Sequence, residues 1–374
     1  MYSAMADLAE QFNDNELLEV CDTLWNNIVN KRMYITGSIG SSGLLERFTT
    51  DYDLPNDCNY SETCASIGLA MFGKRMANIK KDASYMDTVE RALYNTLLSG
   101  IAMDGKSFFY VNPLEVWPAN CMERTSKEHV KPVRQTWFGV ACCPPNITRT
   151  LASLGQYIYF KEDNQIYTNL FISNETKTEI NNIHFTLKLT SNFPWENKIK
   201  FEVNGQSETN ALFAFRIPNY AKNFKIKLNG KEIEYKTENS YAKLEGLFKN
   251  DIIEIEFDAP ATFIYANSEV RADAGKVAVV KGPIVYCLEE VDNGKNLSSI
   301  FIDTDKQIKC EFDNNLLGGS EVLELSAQKI KSSQNNSLYS TNKPQKEPIT
   351  VKAVPYCYWG NRKTGEMSVW IKEI

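Results

Sequence analysis

Apolar positions along the first 157 residues recur with a period near 3.6. Between Glu16 and Met33 they fall at Leu17, Val20, Cys21, Leu24, Trp25 and Ile28, the stripe of an amphipathic helix. Similar stripes are Met5, Leu8 and Phe12; Cys64, Ile67, Met71 and Phe72; Met86, Val89, Leu93, Tyr94 and Leu97; and Ile147, Leu151, Leu154 and Ile158. Pro144 and Pro145 precede the last of these, where a helix tolerates proline because its first-turn N–H groups lack partners anyway. That puts Cys142 and Cys143 in the turn feeding a helix. The first stripe opens with no N-cap residue before it, so the helical layer reads as incomplete, as in a fragment.

Beyond about residue 158 the period becomes 2. Phe224 to Leu228, the turn Asn229-Gly230, and Glu232 to Tyr235 predict a hairpin, because Asn-Gly supplies the positive φ angles of a type I′ turn. Asn204-Gly205 predicts a second such turn, and Ile253 to Phe257 alternates as a half-buried strand. Short strands with turn signals run on to the C-terminus, which suggests antiparallel sandwiches rather than βαβ units. The polar stretch from Lys331 to Pro348 is expected to be an exposed loop. The predicted class is α+β multidomain, with a helical layer over 1–157 and β-sandwiches over 158–264 and 265–374.

Composition narrows the function. Hydrophobic residues make up 43% and charged residues 24% of 374, which excludes a disordered chain, and no apolar run reaches membrane-spanning length. A net charge of -6 without a basic tract argues against nucleic-acid binding. Nine cysteines, six of them within the first 143 residues, do not resemble a disulfide framework and read as reduced thiols, buried or metal-bound. The residues after Met1 lack the cationic and apolar regions of a signal peptide, and a reducing, cytoplasmic location is expected.

The chain has no Walker loop, GxGxxG, GxSxG or HExxH pattern. Its candidates for chemistry are thiols and carboxylates. Glu62 and Cys64 flank Thr63 at a predicted helix start, and with Cys142-Cys143 they offer three sulfurs and one oxygen, a donor set that tetrahedral zinc accepts. Taken alone, the adjacent cysteines also read as small buried hydrophobes, and Glu62 as a solvated helix-terminal carboxylate. The glycine-rich run Tyr34 to Gly43, leading to Glu46, reads as an inter-helix connection, and Phe108 to Leu114 as a strand-like core insert. A thiol redox pair is disfavoured, because adjacent cysteines close only a strained ring.

Thr36-Gly37-Ser38-Ile39-Gly40, Glu46-Arg47-Phe48, Tyr52 to Asn56, Tyr60 to Ser66, Asn112-Pro113-Leu114 and Cys142 to Asn146 follow one another in the order and spacing of a known family. Phe215 to Pro218, Leu228-Asn229-Gly230 and Lys281 to Tyr286 continue the likeness almost to the C-terminus. The chain resembles glycoside hydrolase family 127, the β-L-arabinofuranosidases. The resemblance implies a retaining hydrolase with Cys142 as nucleophile, Glu46 as general acid/base, zinc held by Glu62, Cys64, Cys142 and Cys143, and Tyr110 as a sugar contact. It implies a plant-derived arabinofuranosyl oligosaccharide or glycopeptide as substrate, and an (α/α)6 barrel of which this chain supplies the C-terminal portion. The family's sugar-binding histidines have no counterpart in His129, expected on an exposed segment, or His184, expected on a strand; neither receives a role. The rival reading is a catalytically silent carbohydrate-binding or structural-zinc protein.

Overall fold

A computed structural model describes residues 1–331 and 337–374. The longer helices lie within the first 158 residues, interrupted by largely non-helical stretches at 32–62 and 98–142, and strands dominate the rest, a mixed α/β architecture with two sheets. The helices are α1 (Tyr2–Phe12), α2 (Asn15–Lys31), α3 (Thr63–Lys80), α4 (Ser84–Arg91) and α5 (Cys143–Ala152). The stripes of α2 and α3 face inward at Cys21, Trp25 and Ile28 and at Ile67 and Phe72, whereas the expected stripe of α1 does not: Leu8 and Phe12 are exposed, and the small residues Ala6 and Ala9 form its buried face. The stripe from Met86 to Leu97 begins in α4 and ends in a π-helical segment, Ala92–Leu97. No helix among the described residues is long and apolar enough to cross a membrane.

The chain forms two compact units, each built from three separate stretches. One comprises Met1–Asn26, Ile67–Ala92 and Thr148–Pro260. Its nine-stranded sheet centres on two long strands, Lys198–Arg216 and Tyr241–Asp258, paired antiparallel with a bulge between Phe248 and Asn250. Alternation along them puts Phe201, Val203, Phe213, Ile253, Ile255 and Phe257 in the core and the intervening charges outside. Asn229 and Gly230 take φ of 51° and 80° and close the predicted hairpin, with Leu228 opposite Lys231.

Asn204-Gly205, by contrast, is not a turn. It lies inside the strand Lys198–Arg216, with Asn204 opposite Thr186 on one side and Asn250 on the other. Gly205 is required for closeness: a Cβ there would sit 2.3 Å from Cε1 of Phe185. The all-antiparallel expectation is also too simple, since Gln165–Thr168 runs parallel to Lys198–Arg216.

The other unit comprises Asn27–Ser66, Leu93–Ile147 and Ala261–Ile374. Its ten-stranded sheet closes on itself, because Ile284–Glu289 pairs with both Lys276–Lys281 and Lys346–Pro355. The one parallel pair described in it joins Ile300–Ile302 to Ile371–Glu373. The core includes Tyr34, Phe109, Leu114, Val285, Tyr356, Trp359 and Trp370, with the Phe109 and Trp359 rings stacked at 4.6 Å. Arg134 lies over the Phe109 ring and donates to the Ser99 and Trp359 carbonyls, tying 93–147 to the sheet. Of the predicted loop Lys331 to Pro348, residues 332–336 lie outside the described residues, and Lys346, Glu347 and Pro348 belong to a strand instead, paired with Ile330, Lys329 and Gln328.

Candidate active site

Two stretches distant in sequence are laced together at the start of α3. Thr63 N–H donates to the Tyr110 carbonyl at 3.0 Å, and Thr63 Oγ1 to that of Phe109 at 3.1 Å. Asn112 Nδ2 donates back to the Ser61 carbonyl and to Thr63 Oγ1. Asn59 Nδ2 adds bonds to Ser61 Oγ and the Asn112 carbonyl, so buried amides and hydroxyls fix the backbone on both sides of Glu62 and Cys64. Phe108–Leu114, expected as core, is buried here, and it presents Tyr110 to the same spot.

α5 brings the other two thiols. Cys143 is its first residue and is buried, with Pro144 and Pro145 in the first turn, while Cys142 precedes the helix and is exposed. The four donor groups converge: one ligand atom from each of Glu62, Cys64, Cys142 and Cys143 lies within 4.8 Å of every other. The Cys64–Cys143 and Cys142–Cys143 sulfur separations are 3.7 and 3.9 Å, and Glu62 Oε1 lies 3.4 and 4.0 Å from the Cys142 and Cys143 sulfurs. A tetrahedral ion with sulfur at ~2.3 Å and oxygen at ~2.0 Å has edges of about 3.8 and 3.5 Å, so the set fits a metal ion.

The electrostatics suit a cation. Burial pushes the Glu62 carboxyl up to about 7, and the neighbouring Cys64 and Glu46 charges add to the rise. The Cys143 thiol lowers Cys64 to about 6, helped by the Asn146 side chain. Cys143 is driven upward by the Cys64 thiol and by burial, and Cys142 upward by burial. Packing this much latent negative charge against one point is costly unless a cation shares it.

Glu46 arrives by a different device. The peptide groups of Ser42 and Arg47 bond reciprocally, both at 3.2 Å, and close a tight loop with Leu45 and Glu46 at φ of 61° and 50°. Its side chain is exposed and accepts a 2.8 Å hydrogen bond from Tyr60 Oη. The Tyr60 ring packs edge-on against Tyr110, and Tyr110 Oη lies 3.2 Å from the Cys142 sulfur. His129, expected on an exposed segment, is half-buried against the Tyr60 ring, with Nε2 at 3.0 Å from the Cys58 carbonyl; His184 is on a strand, as expected. Tyr60 and Asn146 belong to this site although sequence reasoning assigned them nothing; both stand inside the motifs that carry Glu62, Cys64 and the cysteine pair.

Comparison with known proteins agrees with the motifs. Residues 3–156 match the description "Beta-L-arabinofuranosidase, GH127 catalytic domain", residues 165–259 the GH127 middle domain and residues 261–372 the "Glycoside hydrolase family 127 C-terminal domain". A non-reducing end beta-L-arabinofuranosidase of Bifidobacterium longum subsp. longum is 36% identical over 98% of this chain. Among solved structures, a GH127 beta-L-arabinofuranosidase from Geobacillus stearothermophilus is 42% identical with a TM-score of 0.97, and a GH127 beta-arabinofuranosidase is 34% identical with a TM-score of 0.90, each over the whole chain. The chain spans 57% of the length of the Bifidobacterium relative and 59% of each of these two structures. The expectation of a C-terminal portion is not borne out, since the catalytic-domain description is met from residue 3 onward. Matches to all three GH127 domain descriptions in succession, on a chain whose motif residues gather at one point, have a single explanation: the chain belongs to glycoside hydrolase family 127.

Proposed function

We propose that this chain carries the catalytic site of a zinc-dependent β-L-arabinofuranosidase acting with retention of configuration. The observation that carries the reading is the donor set of Glu62, Cys64, Cys142 and Cys143 at tetrahedral spacing, of which Cys142 is the exposed sulfur and the one a sugar could reach. The names of its relatives support the substrate class, an arabinofuranoside, here a plant-derived oligosaccharide or glycopeptide. The three matched residue ranges support domains at 1–157, 158–264 and 265–374, as part of an (α/α)6 toroid followed by two β-sandwiches. All nine cysteines are free, which supports a reducing, cytoplasmic setting.

Zinc, when bound, keeps the thiols of its ligands ionised at neutral pH. The chain's own groups do the rest. Tyr110 orients the sugar beside Cys142. The Cys142 sulfur attacks the anomeric carbon, and the glycosidic oxygen leaves with the proton of the Glu46 carboxyl. Glu46, now a carboxylate, takes a proton from water, whose oxygen attacks the same carbon and returns the electron pair to the Cys142 sulfur. Two inversions leave the configuration retained.

The test pairs metal analysis with turnover of a β-L-arabinofuranoside. We expect one zinc per chain, lost in Cys64→Ala, and a Glu46→Gln variant that keeps its zinc while kcat falls at least ~100-fold, the usual scale of acid–base catalysis. Unchanged turnover in Glu46→Gln overturns the assignment of Glu46. Stoichiometric zinc without any hydrolysis by the unaltered chain favours a catalytically silent carbohydrate-binding protein with a structural zinc.

A further inference from the structure

The loop that carries Glu46 fixes its backbone but not its carboxylate. Leu45 and Glu46 both sit in the left-handed region, a conformation non-glycine residues hold at a cost, and the reciprocal Ser42–Arg47 peptide bonds keep them there. Beyond Cα the side chain projects into solvent, where a glutamate is free to rotate. A general acid has to stay within hydrogen-bond reach of the oxygen it serves. Among the described residues, Tyr60 is the one that hydrogen-bonds this carboxylate, at 2.8 Å.

Tyr60 is itself tightly held. Its N–H and that of Ser61 both donate to the Gly40 carbonyl, at 3.1 and 2.8 Å. Its ring is clamped between those of Tyr110 and His129, with centroid separations of 6.0 and 5.7 Å. Gly43, at the base of the Glu46 loop, backs onto this clamp: a Cβ there would lie 3.0 Å from Nδ1 of His129 and 3.3 Å from Cδ2 of Tyr60. Loop, clamp and carboxylate thus form one unit, and Tyr110 joins it to the Cys142 sulfur.

We infer that Tyr60 is a positioning residue for Glu46: its hydroxyl pins the carboxylate in the rotamer from which the proton reaches the leaving oxygen. This rests on the reading of Glu46 as the general acid. The role makes the damage from Tyr60→Phe depend on the leaving group, because only a poor one needs the proton in the transition state. On methyl β-L-arabinofuranoside we expect kcat/KM, which reports the first step, to fall about 10-fold or more, and on the 4-nitrophenyl glycoside by less than about 3-fold, with metal content unchanged. Glu46→Gln should show the same split, larger. Phenylalanine keeps the ring clamp, and Gly43→Ala, which presses on the clamp without touching either hydrogen-bonding group, should reproduce the split at reduced size. Crystal structures of the unaltered chain and Tyr60→Phe give a reading free of turnover: one Glu46 rotamer in the first, several in the second. If Glu46→Gln shows the split while Tyr60→Phe and Gly43→Ala do not, the positioning role is overturned and the function stands. If Glu46→Gln shows none, the reading of Glu46 fails and this inference fails with it. A single unchanged Glu46 rotamer in Tyr60→Phe overturns the inference whatever the kinetics.

Discussion

Asp273 is a carboxyl that folding removes from water: it is 5% exposed, and burial lifts it to about 6, against a partial offset from the Asn56 amide that donates to it at 2.6 Å and from Lys276. Glu115 adds to the rise. The sign of its pH effect follows. Because the folded value exceeds the unfolded one of 3.8, the native chain holds this proton more tightly, and its contribution to stability is fully present below pH 3.8. It is lost as pH rises through the window up to about 6 and changes no further above it. A two-unit shift corresponds to about 3 kcal/mol. Asp273→Asn should therefore flatten the decline between about pH 4 and 6 by that order, measured by urea titration at each pH. An undiminished decline in the variant would assign the effect to other groups. Nothing in the sequence marked this residue, because its burial depends on Asn56, more than two hundred positions away.

At the level of elements, the dipeptide Asn-Gly occurs at 204–205 and 229–230 with opposite outcomes. At 229–230 the flanking strands are short and polar residues face outward, so the local φ preference decides and the hairpin forms as read. At 204–205 the pairing of a long strand on both edges overrides that preference, and glycine serves instead to admit the Phe185 ring. Gly205→Ala should cost about 1–3 kcal/mol by overpacking, and Phe185→Leu in the same chain should recover part of that, a coupling that a double-mutant cycle measures. Additive losses would mean that the ring does not set the requirement. Burial separates ion pairs in the same way. Arg216 is fully buried and bonds to Asp87 at 2.7 Å, to Glu90, and to the Asn169 carbonyl at 2.6 Å. Arg216→Ala strands the buried carboxylates and should cost about 3–5 kcal/mol. Lys200→Ala, in an exposed pair with Glu202, should cost less than about 1 kcal/mol; equal losses in the two variants would show that burial does not govern the difference.

Across the whole molecule, legibility tracks how local the cause is. The change of period near residue 158, the helix starts at Thr63 and Cys143, and the convergence of Glu62 and Cys64 on Cys142 and Cys143 were readable, because residue types and motif order encode them directly. The assembly of each unit from three stretches, the Tyr60 bond to Glu46 and the seating of His129 were not, since each depends on contacts with no local periodicity. The candidate metal site joins these scales. Its four donors come from two stretches 78 positions apart, Glu62–Cys64 and Cys142–Cys143, so an ion bound there would act as a crosslink that the unfolded chain does not offer in preformed shape. An ion that binds only the folded state stabilises it by about 2.7 kcal/mol at a free concentration of 100 Kd. Zinc removal by a strong chelator should lower the thermal midpoint and speed amide exchange first at residues 60–64, 108–112 and 142–146, the segments laced around the donors. Restoring zinc should reverse both, whereas magnesium, which prefers all-oxygen ligands, should restore neither. A chelated chain with an unchanged midpoint and unchanged exchange in those segments would mean that the thiols do not hold a metal, and the thiolate chemistry proposed for Cys142 would lose its physical basis.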